Sequence, residues 1–107
     1  MPSYLTSALA LALVAVSFSS SAAAVSCGVC APSIFYQGLT RTLTTQMEDT
    51  GNTVQCNYDT PPISGKNPAC LYRNVDGVLT FTNTGVLLTD LPGACSSTIP
   101  VVQKTSC

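Results

Sequence analysis

The fold of this 107-residue chain is decided by one stretch, Cys70-Leu71-Tyr72-Arg73-Asn74-Val75-Asp76-Gly77-Val78-Leu79-Thr80-Phe81-Thr82-Asn83. Two runs rich in β-branched and aromatic residues flank an Asp-Gly pair, which is typical of a two-residue type I′ hairpin turn. The register expected from that turn places three cross-strand pairs on the core face: Tyr72 with Phe81, Asn74 with Leu79, and Cys70 with Asn83. The stretch therefore predicts antiparallel β-structure with a cysteine and an aromatic pair inside.

Upstream of the hairpin, the chain shows two further strand patterns and a loop. Residues 39–47 alternate, with Leu39, Leu43 and Met47 on the inner side and Arg41 as an interruption. A turn at 49–52 precedes a strand at 53–58, whose inner residues are Val54, Cys56 and Tyr58. The segment Asp59 to Pro68 contains Pro61, Pro62, Gly65 and Pro68, a composition that predicts an irregular loop.

Downstream, Gly85 to Leu91 is a candidate for another strand, and Pro92-Gly93 predicts a turn. No segment shows a helical period over 11 or more residues. The expected fold is all-β, small and disulfide-rich: an antiparallel sheet, sandwich or barrel of about four to six short strands.

The six cysteines are Cys27, Cys30, Cys56, Cys70, Cys95 and Cys107. An even number in an exported chain predicts that all of them pair, but six cysteines allow 15 pairings and the sequence does not choose among them. The Cys27-x-x-Cys30 spacing favours structural disulfides over a redox pair or half a zinc site. If these two cysteines have different partners, they clamp the N-terminus at two places.

The likeness of Cys30-Ala-Pro-Ser-Ile34 to Cys95-Ser-Ser-Thr-Ile99 is too short to indicate a repeat.

The N-terminal region has the pattern of a secretory signal peptide. An apolar run from Leu5 to Phe18 is followed by serines and then by Ala22-Ala23-Ala24, small residues of the kind that signal peptidase recognises. We therefore expect a helical signal peptide at 1–24 and a mature β domain at 25–107. No second apolar run of that length follows, so no membrane span is expected in the mature chain. A domain of this size has a marginal hydrophobic core, which is why covalent crosslinks are needed.

Charge and residue content exclude several classes of function. The chain has four basic and five acidic residues, no basic stripe and no histidine. Nucleic-acid binding lacks its electrostatic contribution, and Ser or Cys catalysis lacks its usual general base. The acidic residues show no spacing that catalysis requires. We expect neither an enzyme, nor a metal site, nor a cofactor, and we expect a monomer.

Three motifs carry a resemblance to a known group of proteins. They are the Cys27-x-x-Cys30-Ala-Pro-Ser-Ile start, the stretch Gly51-Asn-Thr-Val-Gln-Cys-Asn-Tyr58, and the hairpin Cys70-Leu-Tyr with Asp-Gly-Val-Leu-Thr80. With the signal peptide, they resemble the small secreted cysteine-rich proteins of basidiomycete fungi. The resemblance implies export and a disulfide fold and supplies no catalytic or binding residues. Fungal hydrophobins have eight cysteines with Cys-Cys doublets, and this chain has neither.

These observations predict a secreted, non-enzymatic binding or effector-like module that acts on an extracellular protein or glycan. Recognition is expected at the loop and at the hairpin tip, through Pro61, Pro62, Lys66, Asn67, Arg73 and Asp76, since loops on a rigid scaffold commonly carry recognition. A structural or surface-active cell-wall protein is the alternative. Protease inhibition, with Lys66 or Arg73 as the bait residue, is a narrower form of the first hypothesis.

Overall fold

The computed structural model describes residues 23–87 and 91–107. The expected signal peptide lies outside these ranges, apart from Ala23 and Ala24. The described chain is all-β and its strands pair antiparallel, as predicted, but it forms eight strands and not four to six. They are β1 Val25–Gly28, β2 Ser33–Tyr36, β3 Leu39–Thr42, β4 Thr45–Asp49, β5 Thr53–Asn57, β6 Ala69–Arg73, β7 Leu79–Thr82 and β8 Val101–Lys104.

The strands form three sheets. β4, β5, β6 and β7 follow one another in a four-stranded meander, β2 and β3 form a hairpin, and β1 pairs with β8. The β1–β8 pair joins the start of the described chain to its end. A four-residue strand is recognised only inside a longer strand pattern, as β3 and β7 were, and β1, β2 and β8 were not predicted because they lie outside such a pattern. Within the two described ranges, no apolar helix of membrane-spanning length occurs.

The core lies against the two central strands. Val54, Cys56 and Tyr58 of the β5 segment are fully buried, as the alternation predicted, and face Cys70 and Tyr72 of β6. Burial raises the pKa of Tyr58 to about 12, with a smaller contribution from Tyr72, and raises the pKa of Tyr72 to the same value. Both tyrosines are therefore neutral structural groups over the physiological pH range.

The predicted register of the decisive hairpin is wrong. The observed pairs are Cys70 with Thr82, Leu71 with Phe81, and Tyr72 with Leu79, so that Thr80 forms a β-bulge. The turn has four residues, 74–77, and is closed by the Arg73 amide, which donates to the Val78 carbonyl at 2.9 Å. As a result Phe81 and Asn83 face outward, with Phe81 41% exposed, and Thr82 takes the core position.

Tertiary contacts explain the longer turn. Asn74 is fully buried, and its Oδ1 accepts from the Gly28 amide at 2.8 Å while its Nδ2 donates to Glu48 Oε1 at 2.6 Å. The Gly77 carbonyl accepts from the Ile99 amide at 2.9 Å. Both ends of the turn are therefore bonded to distant parts of the chain, and these bonds outweigh the local preference of Asp-Gly for a two-residue turn.

The predicted strand at 39–47 is divided into two. β3 belongs to the hairpin with β2, and β4 belongs to the four-stranded sheet. Leu43, at the crossing, packs against the core as expected, whereas Leu39 and Met47 are exposed and Arg41 is buried, the reverse of the prediction. The alternation failed because the two halves of the segment face different sheets.

The remaining local predictions have mixed outcomes. The turn at 49–52 is present, with Gly51 and Asn52 at positive φ, and the Cys95 amide donates to the Pro92 carbonyl in the turn predicted there. Gly85 to Leu91 was predicted as a strand. Its described residues, 85–87 and 91, form none, and residues 88–90 lie outside the described ranges.

All six cysteines are paired: Cys27 with Cys107, Cys30 with Cys56, and Cys70 with Cys95. The two cysteines of the Cys-x-x-Cys spacing have different partners, so the N-terminal segment is clamped both to the C-terminus and to β5. Three disulfides in so short a chain are consistent with an extracellular protein.

Two of the disulfides are each accompanied by a tyrosine hydrogen bond. The Tyr58 hydroxyl donates to the Ala31 carbonyl, next to Cys30, and the Tyr72 hydroxyl donates to the Ser96 carbonyl, next to Cys95, both at 2.9 Å. Ile34 and Ile99, three residues further along, are both buried. The segments 30–34 and 95–99 thus have equivalent roles in the fold, although their sequence likeness is short.

Candidate functional site

The Pro-rich loop leaves the sheet between two cysteines. Its base is closed where Asn57 pairs with Ala69 and where the Tyr58 amide donates to the Pro68 carbonyl at 2.9 Å. Cys56 and Cys70 lie just below this closure, and each is held by a disulfide to another segment. The loop therefore projects from the most tightly crosslinked part of the protein.

The first half of the loop is bonded to the β2–β3 hairpin. The Thr42 amide donates to the Thr60 carbonyl at 2.8 Å. Arg41, 4% exposed, donates from Nη1 to the Pro61 carbonyl at 2.7 Å and from Nε to the Tyr36 carbonyl at 2.9 Å. A guanidinium holds two donors in a fixed plane, so Arg41 positions Pro61 relative to Tyr36. Pro61 and Pro62 themselves are exposed.

The second half of the loop forms a turn and one wall of a pocket. The Lys66 amide donates to the Ile63 carbonyl at 3.2 Å, with Gly65 at φ 72°. Lys66 Nζ lies 5.9 Å from the centroid of the Tyr36 ring, within the range of a cation–π contact. The pocket has a volume of about 220 Å³ and is lined by Tyr36, Gly65, Lys66, Asn67, Pro68 and Asn83.

The side chains of Asn83 and Asn67, which line the pocket, form hydrogen bonds within the protein. Asn83 accepts from the Ala69 amide at 2.9 Å and donates to the Asn67 carbonyl at 2.8 Å, so both ends of its side chain are bonded within the protein. The side chain of Asn67 faces the carboxylate of Asp59. With its nitrogen on that side, it donates to both carboxylate oxygens, at 2.8 and 2.9 Å, where a carbonyl oxygen would be repelled. The loop is thereby braced from inside.

Arg73 and Asp76, the remaining predicted recognition residues, lie at the hairpin tip. They form an ion pair, and the Asp76 carboxylate also accepts from the Val78 amide at 3.1 Å. The hydrogen bond from Arg73, followed by that from Val78, holds the pKa of Asp76 below its usual value. The guanidinium of Arg73 is therefore engaged within the protein, which leaves Lys66 as the more accessible of the two predicted bait residues.

The predicted recognition residues thus fall into two groups at opposite ends of β6. The loop contributes Pro61, Pro62, Lys66 and Asn67, and the tip lies about 17 Å away along the strand. Tyr36 and Asn83 complete the pocket but were not predicted as site residues. Asn83 was assigned to the core through the wrong hairpin register, and Tyr36 lies in a strand too short to be recognised.

The pocket brings together several kinds of chemical group. It offers an aromatic ring, an ammonium group and amide groups. In the part of the chain that the structure describes, no three His, Cys, Asp or Glu side chains converge in a way that could hold a metal ion.

Comparisons with models of protein families, with characterised proteins and with solved structures found no match for this chain.

Proposed function

We propose that this chain is a secreted, non-enzymatic binding module of the kind that basidiomycete fungi export as small cysteine-rich proteins, and that it recognises its partner through the Pro-rich loop at 59–68. One observation carries the proposal. An exposed loop with a formed pocket stands on a base held by two disulfides, and its backbone is bonded to a second hairpin through buried Arg41.

Rigidity is the reason why this arrangement favours binding. A loop that is already ordered loses little conformational entropy when a partner binds, so more of the contact energy appears as affinity. Among the described residues, the exposed side chains of Pro62, Ser64 and Lys66 form no hydrogen bond that holds the loop backbone. These side chains can therefore vary while the scaffold stays the same.

Secretion is part of the proposal. It is supported by the signal-peptide pattern in the sequence and by the pairing of all six cysteines, since disulfides persist in oxidising compartments. The absence of histidine from the sequence supports a non-enzymatic role.

A loop variant tests the proposal. Pro62→Ser, Ser64→Ala and Lys66→Ala are combined, and capture of partners from extracellular fluid by the immobilised mature protein is compared with that of the native protein. We expect the captured partner to be lost while the melting temperature stays within a few degrees, because all three side chains are exposed.

Two controls make the test specific. The double variant Arg73→Ala, Asp76→Ala removes both members of the exposed ion pair at the hairpin tip, and Lys104→Ala removes a cation from β8. Both control variants should still capture the same partner as the native protein. Loss of capture in the tip variant with retention in the loop variant would move the recognition site to the hairpin tip and refute the proposal.

A surface-active wall protein is the second candidate, and exposed apolar side chains favour it. Phe35 and Val75 are 67% and 65% exposed, and Leu39 and Met47 are about half exposed. If this function is correct, the mature protein should lower the surface tension of water, and Phe35→Ser should weaken that effect. A freely soluble protein without interfacial activity excludes this candidate.

A further inference from the structure

Two of the four cations of this chain lie around Tyr36. Lys66 Nζ lies over the Tyr36 ring, and the Arg41 guanidinium is bonded to the Tyr36 carbonyl. Among residues 23–87 and 91–107, ion pairing is limited to Arg73 with Asp76, so neither of these two cations has a carboxylate partner there. The Asp59 carboxylate, which faces the Asn67 side chain, is the acidic group beside the pocket, so two cations and one carboxylate lie around it.

The two cations differ in what they can offer a ligand. Arg41 is buried and already donates from Nε and Nη1 to two backbone carbonyls. Lys66 is exposed and lines the pocket, and within the described residues its ammonium group forms no hydrogen bond. The side chain of Asn83 is bonded at both ends. The strongest available donor in the pocket is therefore the Lys66 ammonium, which forms its strongest hydrogen bonds with a negatively charged acceptor.

The size and walls of the pocket limit the group that carries this charge. A volume of about 220 Å³ lies below the range of about 300 to 1,000 Å³ that is usual for drug-sized ligands, so the pocket takes a single ring-sized unit. Tyr36, which is half-buried, supplies an apolar wall for the C–H face of such a ring, whereas the side chain of Pro68 is fully buried. Gly65 and Asn67 complete the lining, but the Asn67 side chain faces Asp59 and its carbonyl accepts from Asn83, so Lys66 remains the main polar group for a ligand.

A peptide fits these features less well. Extended peptides commonly bind by adding a strand to an open sheet edge. β6, the strand that leads away from the pocket, is paired on both sides, and Thr60 occupies the edge of β3 at Thr42. These two strands offer no open ladder to a peptide. β2 and β7 each pair with one strand only, and the glutamate-rich peptide in the test below decides whether their edges hold a peptide.

We infer that the pocket binds one carboxylated sugar unit of an acidic polysaccharide, with the sugar carboxylate on Lys66 Nζ and its ring against Tyr36. This inference rests on the proposed function and adds the ligand class. Arg41 acts as a positioning residue: it holds Tyr36 and Pro61 in place and adds positive potential without contacting the ligand.

The test uses oligogalacturonate as the probe and NMR titration of the mature protein as the readout. The matched ligand is the same oligomer fully methyl-esterified, which keeps the sugar ring and removes the charge. We expect the acid form to bind about fivefold more tightly than the ester, the effect of one partly exposed ion pair. The difference should shrink as salt is raised, because exposed charges are screened.

Matched variants locate the charge that is responsible. Lys66→Met keeps the length of the side chain and removes its charge, so it should weaken acid-form binding about fivefold and leave ester binding unchanged. Lys104→Met, the same change on β8, should alter binding less than twofold. Chemical-shift changes should centre on Tyr36 and residues 65–68.

Three outcomes would overturn the inference: equal binding of acid and ester, no effect of Lys66→Met, or a glutamate-rich peptide that binds as tightly as oligogalacturonate. If oligogalacturonate does not bind but the loop variant still loses a captured extracellular partner, the assignment of an acidic sugar fails while the binding module stands. If the loop variant keeps its partner, the proposed function itself fails.

Discussion

Cys56 and Cys70 lie directly opposite each other on β5 and β6, yet they are not bonded to each other. Cys56 is bonded to Cys30 and Cys70 to Cys95. The two central strands, already paired through their backbones, therefore use their cysteines to hold two other segments, those of Cys30 and Cys95, over the same face of the sheet. A bond between neighbours on adjacent strands would have closed a loop of only 14 residues. The observed pairs close longer loops of about 25 residues, which restrict the unfolded chain more.

The order in which the disulfides are reduced is the first prediction. Cys107 is exposed at the chain end, whereas the cysteines of the other two bridges are buried. Under mild reduction of the native protein followed by alkylation and peptide mass spectrometry, Cys27 and Cys107 should be labelled first, because a reductant reaches their bridge without unfolding of the core. Earlier labelling of Cys70 and Cys95 would show that the core opens before the termini separate.

Gly77 should resist replacement. It has φ 71°, and a β-carbon there would collide with the Ile99 carbonyl and approach Val101 Cγ2 at 3.1 Å. We expect Gly77→Ala to lower the free energy of unfolding by about 3 kcal/mol, from backbone strain and steric overlap together. Denaturant unfolding measures this value.

Gly51 provides the control for that prediction. Its φ is 75°, and a β-carbon there would have nothing within 4 Å. Gly51→Ala should therefore cost about 1 kcal/mol, from backbone strain alone. Equal losses in the two variants would show that steric overlap between the new β-carbon and the Ile99 carbonyl adds nothing to the cost of Gly77→Ala.

Asn74→Asp should destabilise the protein in a pH-dependent way. Asn74 Nδ2 donates to Glu48 Oε1 at 2.6 Å, and aspartate would place a second carboxylate at that distance in a buried site. We expect a loss of about 3 kcal/mol near neutral pH. The loss should shrink at pH 4, because a proton shared by the two carboxylates restores the hydrogen bond.

The matched change is Asn52→Asp, which adds the same charge at an exposed turn residue whose Oδ1 already accepts from Asn74. Its effect should stay within about 0.5 kcal/mol. Chemical denaturation of both variants at the two pH values gives the comparison. A loss for Asn74→Asp that is independent of pH would contradict the proposed repulsion.

Alkaline pH should destabilise the protein through Tyr58 and Tyr72. Both have a pKa of about 12 in the folded protein against the ordinary tyrosine value of 10.0, so the folded state holds their protons more tightly than the unfolded state does. Their contribution to stability is complete below pH 10 and is lost as pH rises toward 12. The free energy of unfolding should fall by about 1 kcal/mol per pH unit for each tyrosine in that range.

The variants Tyr58→Phe and Tyr72→Phe test this assignment. Each should be about 1 kcal/mol less stable at neutral pH, since a buried hydrogen bond to Ala31 or Ser96 is lost. Each should also show a shallower decline above pH 10. A decline as steep as that of the native protein would mean that other groups cause the alkaline transition.

The period of two was sufficient to predict the β-class and the inner faces of β5 and β6. Val54, Cys56 and Tyr58 all proved buried, because alternation along one strand is a local property that tertiary contacts did not change here. It failed at residues 39–47, where the chain passes from one sheet to another and Arg41 became the buried residue.

The composition of the loop at 59–68 was likewise enough to predict irregular structure and exposure of Pro61, Pro62 and Lys66, although Pro68 is buried. The pocket itself was not predictable, since Tyr36 and Asn83 reach it from β2 and from the residue after β7. Nothing in the spacing of these residues along the chain indicates that they meet.

The sequence alone determined three features: the need for crosslinks, the all-β class and the position of the exposed loop. Each depends on residue types and on neighbours a few positions away. Tertiary structure alone decided the disulfide pairing, the four-residue hairpin turn and the pocket. These depend on which distant groups come within bonding distance, as when Gly28 bonds to Asn74 and Ile99 to Gly77, and contacts of that kind outweigh local preferences of about 1 kcal/mol.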